Sequence, residues 1–142
     1  MRKVRPVQKK SRQANRKLRR SSAEAQIRNS AGGPFAPGVI VLATLNNPRE
    51  KFWGIILALD PAGLSLRGVE LSSFEDSTNM VVAGDTFTAP VLFFPMHRVE
   101  RVELDLPEGN IPSLSQRFTA RTGLNPVEML KEMPLASQGG GA

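Results

Sequence analysis

Cysteine is absent from the 142 residues, which excludes disulfide staples, thiolate metal sites and cysteine nucleophiles. No apolar run approaches the roughly 20 residues that a membrane-spanning helix needs. The basic opening MRKVRPVQKK is followed by no apolar segment, so no secretory signal is expected. Histidine occurs once, at His97. No phosphate-binding Walker loop, dinucleotide-binding glycine fingerprint or HExxH metal helix is present. These absences lead to the expectation of a soluble, cytoplasmic protein without a cofactor.

What is present is a chain long enough for one small domain with extensions, in which 40% of residues are hydrophobic. Its net charge of +6 is unevenly divided. Residues 1–30 hold eleven Lys and Arg against the single acid Glu24, a net of +10. The other 112 residues hold eight basic and twelve acidic groups, a net of −4. The high isoelectric point therefore belongs to a tail. Within residues 1–33 the large apolar side chains are Val4, Val7, Leu18 and Ile27, which build no common helical face. Ordering such a segment costs about 1–2 kcal/mol per residue with little burial to offset it, so a disordered arm is expected. Its Arg- and Ser-rich, acid-poor composition is shared by mitochondrial transit peptides, but the apolar face of that signal is missing. Arg2, Lys3, Arg5, Lys9, Lys10, Arg12, Arg16, Lys17, Arg19 and Arg20 are the candidates for holding phosphates. Each such contact releases counterions and makes the affinity salt-sensitive. The arm has no aromatic residue, so base stacking must come from elsewhere, and RNA and DNA are not distinguished by it.

Residues 34–38, Pro-Phe-Ala-Pro-Gly, read as a linker of strong breakers. VIVLATL (39–45), KFWGIILALD (51–60) and LSLRGVEL (64–71) then read as strands, with Asp60-Pro61-Ala62-Gly63 as a hairpin turn. Gly54 and Gly68 lie inside two arms of that hairpin, where glycine marks a sharp bend. After a polar loop, SSFEDSTN, the segments MVVAG, DTFTAP and VLFF are further extended candidates. Pro95-Met96-His97-Arg98 interrupts, and VERVELDL (99–106) resumes with Val99, Arg101, Glu103 and Asp105 on one side and the mainly apolar set on the other. Five or so short strands in so few residues predict an all-β fold, a small, strongly bent barrel over 39–106.

In KFWGIILAL both faces are apolar: Trp53, Ile55, Leu57 and Leu59 against Phe52, Ile56 and Ala58. A small barrel buries only its inner set, so either the C-terminal segment or another subunit covers the outer one; a homo-oligomer is the favoured expectation. Residues 107–134 form a short helical extension. Ser113 and Gln116 fit a capping box, Leu114 and Phe118 pair at i,i+4, Gly123 ends that helix, and Asn125-Pro126 opens another. Residues 135–142 read as a flexible tail.

His97 has no sequence partner for catalysis and reads first as a turn residue. Glu75-Asp76 are adjacent acids in a polar loop, and Glu100 and Glu103 lie on opposite faces of a regular strand, so neither pair makes a carboxylate dyad. Phe52, Trp53, Phe93 and Phe94 can stack bases in principle, yet at strand positions in apolar runs they read as core. With no nucleophile–base or metal constellation, a non-enzymatic protein is expected.

Over residues 39–106 the chain resembles the Sm-like family, which includes the bacterial RNA chaperone Hfq. Gly54 precedes Asp60 by six residues, as the strand-two glycine precedes the aspartate of the first Sm motif, and Leu64-Ser65-Leu66 follows. Phe94-Pro95-Met96-His97-Arg98-Val99-Glu100-Arg101-Val102 is similar to the end of strand four, the tight turn and the start of strand five in the second motif. His97 then falls at the histidine of the Hfq branch's Lys-His pair, with Met96 at its lysine. The resemblance implies a ring-shaped homo-oligomer whose fourth and fifth strands pair between subunits. It implies RNA as ligand, with Asp60, His97 and Arg98 near the turns contacting bases or partners. The same pattern occurs in SH3-like barrels, which bind peptides. The alternative expectation is accordingly an SH3-like interaction or structural module whose arm docks on an acidic partner or a ribosomal surface.

Overall fold

The computed structural model describes residues 33–134. Contacts divide the chain into two units, Met1–Pro34 and Phe35–Ala142, and the second holds the strands and helices. The readings made for the basic arm, and for the tail 135–142, lie outside the described residues.

Among the described residues there are five strands: β1 (Ile40–Leu45), β2 (Glu50–Asp60), β3 (Gly63–Glu70), β4 (Val91–Pro95) and β5 (Val99–Leu104). Three helices accompany them: α1 (Phe74–Val82), α2 (Leu114–Thr122) and α3 (Pro126–Glu132). All strand pairs are antiparallel, in the order β4-β3-β2-β1-β5. The two edge strands are joined by the 3-10 turn Met96–Arg98 alone. Five flat strands at about 4.8 Å spacing would hold their outer members roughly 19 Å apart. The four Cα steps from Pro95 to Val99 reach at most about 14 Å. The sheet must therefore curl until its edges approach, although β4 and β5 do not pair and the sheet stays open.

Gly54 and Gly68 make that curl possible. They are direct partners across β2 and β3. A Cβ on Gly54 would lie 2.3 Å from the Arg67 carbonyl oxygen, and one on Gly68 would lie 2.1 Å from that of Trp53. Only two side-chain-free residues let the backbones come so close.

The curled sheet has a core on each face. Inside the curl, Val41, Ala43, Leu45, Ile56, Leu64, Leu66 and Phe94 pack together. On the other face, Ile40, Trp53, Ile55 and Val69 meet Phe74 of α1, Phe118 of α2 and Leu130 of α3. Trp53 is the hub of this layer, edge-on to Phe74 at 5.0 Å and 5.9 Å from Phe118 between ring centroids. The apolar outer face of β2 is thus covered by the chain's own helices. That face therefore needs no second subunit, because α1 and the C-terminal helices supply its partner.

Three local expectations need correction. An all-β description leaves out a helical layer that completes one core. MVVAG and DTFTAP are not strands: Met80, Val81 and Val82 end α1, and residues 85–90 are irregular. The i,i+4 pair Phe74 and Thr78 buries one side of α1, Glu75 and Asp76 occupy its first turn, and Gly84 follows at φ 78°. Tertiary burial of that face outweighs the β propensity of Val81-Val82. In β5 a register shift opposite Thr44 and Leu45 breaks the alternation, so Val99 packs on the same core as Val102 and Leu104.

The helix ends follow their sequence signals. Ser113 Oγ accepts from Gln116 N at 3.0 Å and Gln116 Oε1 from Ser113 N at 2.9 Å. Gly123 ends α2 at φ 74°, and Asn125 caps α3 ahead of Pro126. Asp105 ties the layers together. Its carboxylate accepts from Trp53 Nε1 at 3.0 Å, Leu114 N at 3.0 Å and Ser115 N at 2.8 Å. A negative charge at the α2 N-terminus is also favoured by the helix dipole.

Candidate functional site

Asp60, His97 and Arg98 come to neighbouring turns by way of the backbone. Asp60 closes β2, and its exposed carboxylate turns the chain by accepting the Ala62 amide at 2.8 Å. Gly63 pairs with Pro95 in the register of β3 and β4. The Met96 amide donates to the Ala62 carbonyl at 3.0 Å, which fastens the Met96–Arg98 turn to the β2–β3 turn. Asp60 and His97 are consequently exposed on adjoining turns at one end of the curled sheet.

Arg98 belongs to a different structure. Its Nη1 donates to Asn46 O at 2.9 Å and Pro48 O at 3.3 Å, and its Nη2 pairs with Glu50 at 2.7 Å. The Asn46 amide in turn donates to the Arg98 carbonyl at 2.9 Å. The guanidinium clamps the β1–β2 turn against the β4–β5 turn. Three hydrogen bonds to one partly buried charge outweigh a solvent-facing role. Arg98→Met is expected to destabilise the protein by about 2 kcal/mol. Urea unfolding checks this; unchanged stability would mean that the clamp between the two turns contributes nothing.

The ten arm residues from Arg2 to Arg20 lie outside the described residues. Of the aromatic stacking candidates, Trp53 and Phe94 are core, and Phe52 packs on Phe94 at 4.8 Å. Phe93 alone is well exposed, at 56%. Glu75 pairs with Arg117 and with Arg121, so it joins α1 to α2. Among the described residues no three His, Asp or Glu gather as a metal site.

The sequence reading missed Arg67. It sits in β3 with only 3% of its surface exposed, opposite Ile55 and Val91 in the two neighbouring strands. Its Nη1 donates to Leu130 O at 2.7 Å and Met133 O at 2.6 Å, closing the C-terminal end of α3. Its Nε is buried without a partner among the described residues. Arg67 lines a partly open cavity of about 510 Å³ between the Pro37-Gly38 turn, β2 and the end of α3. The available signal was period two: Arg67 alternates with Ser65 and Val69 on the face that carries the helical layer. Compared with known proteins, the chain matches no family model, no curated protein and no solved structure.

Proposed function

We propose that the chain is a non-enzymatic RNA-binding protein built on an Sm-like barrel, acting as a homo-oligomer, with the basic arm contributing most of the affinity. The observation that carries this reading is the Ala62–Met96 hydrogen bond, which holds exposed Asp60 and His97 on adjoining turns. In the Sm-like family these two turns are where the motif residues lie. The strand order and the single-turn link between the edge strands support the same reading. So does the charge pattern: a unit with an excess of acid has little attraction for phosphate by itself, and the +10 segment supplies it.

The two sheet edges, β4 and β5, are unpaired, and Val91 and Phe93 on β4 are exposed. A head-to-tail ring would pair these edges and cover both side chains. The same apolar edge favours a second reading, an SH3-like module that accepts a peptide strand from a protein partner, with the arm on an acidic surface. Light scattering on the full chain, alone and with a short U-rich RNA, separates the two. A defined oligomer whose mass rises with RNA is the expected result. A monomer that ignores RNA would move the assignment to the adaptor module.

A further inference from the structure

We propose that the cavity around Arg67 is a binding site for a small organic carboxylate with an apolar body, independent of any RNA-binding surface. A guanidinium stays charged at every accessible pH, and burying one without a counter-charge is strongly unfavourable. Among the described residues Arg67 is in no ion pair. The two carbonyls at the end of α3 satisfy Nη1 alone, and a helix end supplies only a partial negative charge against a full positive one. What remains is the edge formed by Nη2 and by Nε, the latter buried and without a partner among the described residues. That edge is the one a carboxylate takes when it binds arginine through two parallel hydrogen bonds.

The surroundings match such a ligand. Lys131 also lines the cavity, and among the described residues no acid does, so two cations face one volume. The Lys131 side chain crosses Gly38, where an added Cβ would lie 3.2 Å from its Cε. The rest of the wall is apolar: Pro37, Ile55, Ile56, Leu57 and Met133. The register of β2 and β3 shifts between Ile56 and Ala58, placing Leu57 in a bulge at the cavity wall, and bulges of this kind are enriched beside ligand sites. A volume near 510 Å³ is in the range of small-molecule sites. A bare inorganic anion would leave the apolar wall unused, and a neutral apolar ligand would leave the charge unpaired.

The test uses the full chain with octanoate, octanamide as its neutral counterpart, and inorganic phosphate. Calorimetry and thermal melting are expected to show saturable octanoate binding that raises Tm by about 5 °C or more at a hundredfold excess over Kd. Octanamide and phosphate are each expected to shift it by less than about 1 °C. Arg67→Lys keeps the charge but loses the fork, and is expected to weaken octanoate at least about tenfold. Because Arg67 also holds α3, Lys131→Met at the exposed rim provides the second variant: it should fold normally and weaken octanoate about threefold to tenfold. No octanoate binding, equal binding of octanamide, an equal response to phosphate, or unchanged affinity in a folded Lys131→Met protein would each overturn the proposal.

Discussion

Deleting residues 2–30 should lower affinity for single-stranded RNA by at least about a hundredfold at about 0.1 M salt, and should flatten the salt dependence with it. On a single strand each phosphate neutralised contributes about −0.7 to the slope of log K against log salt, so engaging about six of the arm's cations gives a slope near −4. The unit that remains carries more acid than base, and Arg98, the basic residue of the Met96–Arg98 turn, is already held by Glu50 and two carbonyls. A residual slope of about −1 or flatter is therefore expected for the truncated chain. Fluorescence anisotropy over a salt series reads both quantities. Unchanged affinity after the deletion would remove the arm from the function and leave recognition to the turns that carry Asp60 and His97.

The largest effect on stability is expected from Gly54→Val. Gly54 faces Gly68 at the point where the sheet bends, and the nearest atoms to an added Cβ are backbone: the Arg67 carbonyl oxygen at 2.3 Å and the Gly68 Cα at 2.7 Å. Backbone inside a paired strand cannot move aside as a flexible side chain does, so β2 and β3 would have to separate. A loss of about 4 kcal/mol or more is expected, a large part of the roughly 5–15 kcal/mol that holds a domain folded. Gly84→Ala provides the contrast. Gly84 has a positive φ of 78° but open space around it, so strain alone applies and about 1 kcal/mol should be lost. Urea midpoints for the two variants compare close approach with backbone strain. Equal, small losses would mean that the sheet does not depend on the Gly54–Gly68 contact.

The chain order of this protein's elements was legible wherever one to four neighbouring residues decide the conformation. Asp60-Pro61-Ala62-Gly63 makes its turn through its own carboxylate, and Ser113 with Gln116 closes a capping box within four residues. Asn125-Pro126 and Gly123 act in the same local way, as do the β-branched runs that became β1, β2 and β3. The glycines at 54 and 68 announced a bend, and their pairing in register is what allows it.

Other features are set by contacts between residues far apart in the chain, and no local pattern specifies those. Met80-Val81-Val82 has strand-like composition, yet these residues end a helix because Phe74 packs on Trp53 and Thr78 is buried on the same side of the helix. Whether the second apolar face of β2 met another subunit or the same chain depended on where α2 and α3 came to rest. Arg98 looked free beside His97 until the curl of the sheet brought Asn46 and Glu50 to it, about 50 residues away in sequence. Arg67 and Lys131 line the same cavity only because α3 packs back over β3. Turn and cap chemistry is short-ranged, and one sequence window contains it. Burial is a property of the assembled layers, so the sequence alone determined the elements and their ends, while tertiary packing decided which charges were buried, which were clamped and which were left for a ligand.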